Sequence, residues 1–124
     1  MKNSIYIVLG GGAGALLRYI VNRISGGAAP ANIPAATLIV NCTGALCAGF
    51  FFCLFEGKLG TERLRFFLVT GFLGAFTTFS AFSLESARLF LGGIYASALL
   101  NILLNNILCI LAVFAGIWLY NKFF

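Results

Sequence analysis

The run GFLGAFTTFSAFSLE, from Gly71 to Glu85, decides how the rest of the chain is read. It is apolar enough for a bilayer, yet Gly71, Gly74, Thr77, Thr78, Ser80 and Ser83 crowd its centre and Glu85 closes it. Such a composition makes a poor continuous helix facing lipid. In lipid every backbone polar group must be satisfied internally, and non-helical backbone survives only where protein or a water-filled cavity shields it. Two readings fit the run. The helix breaks near Gly71, Gly74 and the Thr77–Thr78 pair, or it continues and its small residues serve close packing. In the first reading, carbonyls freed at the break hold a small cation and amides attract anions.

The whole composition places this run in a membrane. Of 124 residues 61% are hydrophobic and 9% are charged, against about 25% charged in an ordinary soluble domain. The mean hydropathy is +1.04. A disordered chain, a nucleic-acid module and a conventional soluble enzyme are excluded. Spans of about 20 residues allow four transmembrane helices and little else. The fold class expected is an all-α membrane protein forming one transmembrane domain over residues 1–124, with approximate spans 4–24, 35–55, 66–91 and 94–120.

The first span carries Gly10, Gly11, Gly12 and Gly14 and then Arg18. Gly10 and Gly14 are four apart, the spacing at which small residues let helices approach closely in lipid. A Gly- and Pro-rich loop from Ser25 to Pro34 follows. Span two holds Thr37, Asn41 and Thr43 among apolar residues, and span four holds Asn101, Asn105 and Asn106. Trp118 and Tyr120 fall near a membrane interface. The eight Lys and Arg against three Glu give a net charge of +5. Lys2, Lys58, Arg63, Arg65 and Lys122 fall on the side of the termini, and Arg23 and Arg88 on the other. That count favours termini inside, modestly enough to leave insertion in both orientations open. Cys42, Cys47, Cys53 and Cys109 form no C-x-x-C pair and read as small apolar fillers.

Phe76, Phe79 and Phe82 are three apart, and Thr77, Ser80 and Ser83 form a neighbouring stripe. Aromatic ring edges carry partial positive charge, and hydroxyls donate hydrogen bonds. Together they can line a route for a small anion without a fixed positive charge. Asn101 and Asn105 share a face with Cys109, either as interhelical glue or as part of a polar track. Asn41 raises the same choice. Glu85 and Arg18 are ionisable residues in or near spans and are functional candidates by that fact. Glu85 fits a proton carrier, a cation ligand or a vestibule charge. Arg18 fits a pore mouth, or a side chain reaching the interface.

These motifs resemble the Fluc/CrcB family of fluoride ion channels. The resemblance covers nearly the whole chain: four short spans, a glycine-rich first helix with Arg18, a Thr-Leu-Ile-Val-Asn stretch ending at Asn41, and the TTFS-x-FS-x-E core. It implies a dual-topology, antiparallel homodimer in the cell inner membrane, with a broken third helix and two pores that export fluoride passively. Phe79 and Phe82 match the aromatic pair beside the fluoride path, and Asn41 the pore asparagine. Thr78, Ser80 and Ser83 belong to the hydroxyl-rich core. Asn101, Asn105 and Cys109 fall on the polar track. Gly74 and Thr77 match positions whose carbonyls hold a structural sodium ion at the dimer centre. Arg18 and Glu85 match vestibule or gating positions. Ala36, Ala75 and Ala81 depart from the family pattern, as does the Asn-Asn-Cys track.

The implied partners are fluoride, the lipid bilayer and a second copy of the chain, with no nucleic acid. Two other classes compete. A proton-coupled small multidrug exporter also has four short spans but wants a membrane-embedded carboxylate in its substrate cavity; the first span here has no acid, and Glu85 is the sole acid outside the second loop. A non-transporting membrane subunit would bind a partner through its small-residue faces. An enzyme is disfavoured, because there is no His, no Asp and no visible nucleophile–base pair.

Overall fold

Hydropathy sets the architecture. In the computed structural model, residues 3–25, 33–57 and 59–124 are described. Lys2, Lys58 and most of the Gly- and Pro-rich loop, residues 26–32, lie outside them. The described residues form helices and turns with no strand. Four helical spans are long and apolar enough to cross a membrane: Ser4–Ser25, Ala35–Glu56, Glu62–Leu91 and Tyr95–Phe123. The first two have 22 residues each, about 33 Å at 1.5 Å per residue, against a hydrocarbon core of about 30 Å.

Helix α1 is Ser4–Ser25 and α2 is Ala35–Glu56. Pro34 precedes α2 with φ −71°, a value its ring already imposes. The third span is composite. A short turn α3, Glu62–Arg65, starts at Thr61, whose hydroxyl accepts from the Leu64 N–H at 3.3 Å. It runs into a π-helical stretch, Phe66–Leu73, then a single turn α4, Gly74–Phe76. Helix α5, Phe79–Leu91, follows. Gly92 and Gly93 reverse the chain into α6, Tyr95–Phe123. Gly93 has φ +77°, a conformation that glycine adopts without steric cost.

Packing divides the subunit into two helix pairs. α1 lies along the π-helical stretch, and α2 lies along α6 with α5 beside it. A methyl added at Gly10 would meet the Phe67 carbonyl oxygen, and one at Gly14 the Phe72 carbonyl. The spacing of these two glycines therefore serves backbone contact.

The core is small and half polar. Val40, Leu73, Phe76, Phe82 and Ala98 are buried, together with Thr37, Thr78, Ser86, Ser97, Asn101 and Asn105. Large apolar side chains such as Val8, Leu16, Leu99, Ile110 and Phe114 point outward. That inverted distribution suits a lipid solvent, where apolar surface needs no shelter and polar groups do.

Candidate functional site

The third span has its midpoint where the backbone leaves the helix. Thr77 (φ −76°, ψ 156°) and Thr78 (φ −150°, ψ 108°) are extended. The Thr77 N–H and hydroxyl both donate to the Leu73 carbonyl, at 3.0 and 2.9 Å. A continuing helix would send the Thr78 N–H to the Gly74 carbonyl. It donates instead to Asn41 Oδ1 at 2.9 Å. Asn41 Nδ2 returns a bond to the Thr78 carbonyl at 3.2 Å. One side-chain amide from α2 thus substitutes for the peptide partner that the extended residue lacks. The Thr78 hydroxyl accepts from the Ala81 N–H at 3.1 Å and so caps the start of α5.

From Asn41 a chain of amides runs through the helix packing. Asn41 Nδ2 also donates to Asn105 Oδ1 at 3.1 Å. Asn105 Nδ2 donates to the Asn101 side-chain and main-chain oxygens at 3.0 and 3.1 Å. Asn101 Nδ2 donates to Ser86 Oγ at 2.9 Å, and Ser86 donates to the Phe82 carbonyl at 2.9 Å. Asn101 is 0% exposed, so its amide works between helices. Asn105 belongs to the same chain and also borders a cleft. Ser86 carried no signal in the sequence beyond being one more serine; only the fold brings it to Asn101.

That cleft, about 470 Å³, is lined by Asn41, Thr77, Thr78, Phe79, Asn105 and Asn106, among others. Asn106, one position along from Asn105, is also on its wall and donates to the Ile102 carbonyl at 2.7 Å. A cleft wide enough to span about 100° of helix reaches adjacent positions. A second cleft of about 390 Å³ is lined by Arg18, Asn22, Thr78, Ser80, Ala81 and Leu84. Thr78 borders both. Arg18 Nη1 donates to the Thr77 carbonyl at 3.5 Å. The Ser80 hydroxyl lies 3.2 Å from that of Thr78, and Ser83 donates to the Phe79 carbonyl at 2.9 Å. Ser80 and Ser83 are exposed on the subunit.

Phe79 and Phe82 have ring centroids 5.3 Å apart, but they differ sharply in setting. Phe82 is 7% exposed and Phe79 77%. Phe76, Phe79 and Phe82 do not form one stripe. Phe76 lies before the extended pair, is buried, and stacks on Phe72 at 5.6 Å. Thr77 likewise stands outside the helix that carries Ser80 and Ser83. The count of three assumed an unbroken helical period. Gly71 and Gly74, read as part of a break, are helical, and Gly71 lies against α1.

Glu85 accepts from the Thr37 hydroxyl at 2.7 Å through Oε1. Its Oε2 is buried with no hydrogen-bond partner. Nothing in the sequence joins Thr37 to Glu85; the fold makes it the partner of the embedded acid.

Residues 5–117 match the family model described as CrcB-like protein, Camphor Resistance (CrcB). The chain belongs to the CrcB family. Among CrcB-family relatives, the fluoride-specific ion channel FluC of Legionella pneumophila (strain Lens) is 42% identical over 111 residues, covering 89% of this chain and 83% of that protein. The protein of that name from Sulfurihydrogenibium sp. (strain YO3AOP1) is 41% identical over 118 residues, covering 94% and 95%. That from Rhodopseudomonas palustris (strain BisB5) is 40% identical over 114 residues, covering 91% and 92%. These relatives carry the name of ion channels, which are not enzymes. With four apolar spans, this CrcB chain is a multi-pass membrane protein.

Proposed function

We propose that this CrcB-family chain is a fluoride-selective channel that lets fluoride leave the cytoplasm passively through the cytoplasmic membrane. The observation that carries the reading is the extended Thr77–Thr78 pair at mid-span, braced by Asn41 and flanked by two clefts. The names of the relatives support the ion assignment.

Fluoride is small and strongly hydrated, so a route must replace its water with hydrogen-bond donors. The hydroxyls of Thr78, Ser80 and Ser83 and the amides of Asn41 and Asn105 are such donors. The ring edges of Phe79 and Phe82 add partial positive charge at no desolvation cost of an ion. Both Asn41 amide hydrogens are already engaged, by the Thr78 carbonyl and Asn105. An anion reaching Asn41 must displace one of them, which makes Asn41 a donor that is shared with the backbone brace. Asn101 serves that track from behind, by orienting Asn105. Arg18, on the Thr77 carbonyl, and Glu85, on the Thr37 hydroxyl, are the charges that would act at a vestibule or in gating.

The reading includes an antiparallel, dual-topology homodimer with two pores. Its support is the exposed Phe79 and Gly74 beside extended backbone at membrane depth, which calls for shielding by a second copy. It also includes a structural sodium ion. The donors fit: a helix end at α4 with its next N–H diverted to Asn41 presents the Gly74 and Thr77 carbonyls, hard oxygens of the kind that bind such a cation. Two carbonyls from each of two subunits would hold it, with Arg18 sharing the Thr77 oxygen. When bound, the ion supplies positive charge at the junction of the two subunits.

The test is fluoride efflux from liposomes holding the purified protein, followed with a fluoride electrode and repeated with chloride. Rapid fluoride loss with little chloride loss is expected. No fluoride flux from folded, dimeric protein would overturn the channel reading and turn attention to proton-coupled export through Glu85. Prolonged exchange of sodium for a bulky organic cation should lower the flux; full activity after exchange would remove the ion from the proposal.

A further inference from the structure

Cys42 on α2 and Cys109 on α6 bring their Sγ atoms to 3.8 Å, and both are free thiols. The packing around them fixes that approach. Further along the same two helices, a methyl at Gly49 would meet the Val113 carbonyl and one at Gly116 the Leu46 carbonyl, so the backbones touch. On the other side, Asn41 is bonded to Asn105. The thiols sit between these two contacts and cannot swing apart with the helices. Both are half-buried, and Cys109 lines the larger cleft beside Asn105 and Asn106.

We propose that Cys42 and Cys109 form a chelating site for a thiophilic divalent cation of the zinc class, reached from the cleft. Metal–sulfur bonds of about 2.3 Å in a tetrahedral set hold two sulfurs about 3.8 Å apart. That is the separation of this pair. A disulfide would instead require the sulfurs to close to about 2.05 Å. Binding turns two thiols into thiolates and releases two protons: two R–SH and one M²⁺ give (R–S)₂M and two H⁺. The two thiolate charges cancel the charge of the ion. A neutral complex is the form that a site within the membrane tolerates. Among the described residues no third Cys, His, Asp or Glu joins the pair. The remaining positions belong to water or small anions entering through the cleft. The site is independent of the fluoride proposal, since it needs neither flux nor a second subunit.

Cadmium is the probe. It is titrated into the intact chain in detergent under a thiol-free reductant, while ultraviolet thiolate-to-metal charge-transfer absorption and proton release are followed. The expected result is one ion per subunit, two protons per ion, and two thiols protected from maleimide. Cys42→Ser and Cys109→Ser should each weaken binding by about tenfold or more, as even outer partners of metal sites do when removed. Cys47→Ser and Cys53→Ser should leave it unchanged. If a serine variant fails to elute as folded protein, the proton and maleimide counts on the unaltered chain decide. No charge-transfer band, one proton per ion, or Cys42→Ser and Cys109→Ser variants that bind as tightly as the unaltered chain would overturn the site.

Discussion

Both helix pairs carry glycine contacts, but only one adds a chain of polar bonds to them. Between α1 and the π-helical stretch, glycines bring backbone against backbone: a methyl at Gly71 would lie 2.6 Å from the Ile7 carbonyl. Among α2, α5 and α6, side-chain amides and hydroxyls are bonded in series from Thr78 through Asn41, Asn105 and Asn101 to Ser86. The first contact depends on shape and dispersion, the second on polar groups that have no better partner in lipid. A shape contact fails when volume is added. A polar chain fails when one link is removed, because the neighbours are left unpaired. The candidate site is built on the second kind, and the scaffold holding it on the first.

The largest effect should come from adding volume to the shape contact. Gly14→Val is expected to cost about 3 kcal/mol or more, since the obstruction is a backbone carbonyl that cannot turn aside. Loss of monodisperse protein on gel filtration checks it; wild-type yield and unfolding midpoint would show that the contact tolerates widening. Next is Asn41→Ala, which strands the Thr78 N–H and the Asn105 oxygen. It should destabilise by about 2 kcal/mol and abolish fluoride flux. Asn41→Asp keeps the acceptor for Thr78 but loses at least one of the two bonds Asn41 donates, so it should also destabilise, and flux should again be lost. Phe79→Ile should leave the subunit folded, because the ring is mostly exposed on it. Its fluoride flux should fall, and unchanged efflux in both Phe79→Ile and Phe82→Ile would remove the rings from the route. The smallest effect lies at the far end of α6, away from the polar chain. Lys122 lies 4.9 Å from the Trp118 ring, and Lys122→Gln should change the unfolding free energy by about 0.5 kcal/mol at most.

Much of the scaffold was readable because hydropathy counts residues along one helix at a time. The four apolar spans follow from that count, and the Gly10 and Gly14 spacing announces a close approach. It does not say to what; the partner is the π-helical stretch, whose wider turn has no mark in Phe66–Leu73. The polar residues of the site could be named but not joined. Asn41, Asn101 and Asn105 are costly in lipid wherever they point, so sequence alone left glue and track equally open. Only the fold shows Asn101 fully enclosed and Asn105 at the cleft. The aromatic stripe misled for a specific reason. Each helical residue turns the side chain by about 100°, while each extended residue turns it by about 180°. Two extended threonines between Phe76 and Phe79 therefore reset the count.

The π-helical stretch has a consequence of phase. Phe66–Leu73 lies upstream of every residue that α4 and α5 contribute, and a π-turn holds roughly one residue more than an α-turn. It acts as a coupling between the aqueous end of the third span and its centre. Were the segment to relax to α-helical winding with all its residues kept, everything after it would turn by about 100°. Thr78 would then face away from Asn41 although neither residue had changed. The winding of this stretch, more than any one side chain on it, is what aims Thr78 at Asn41.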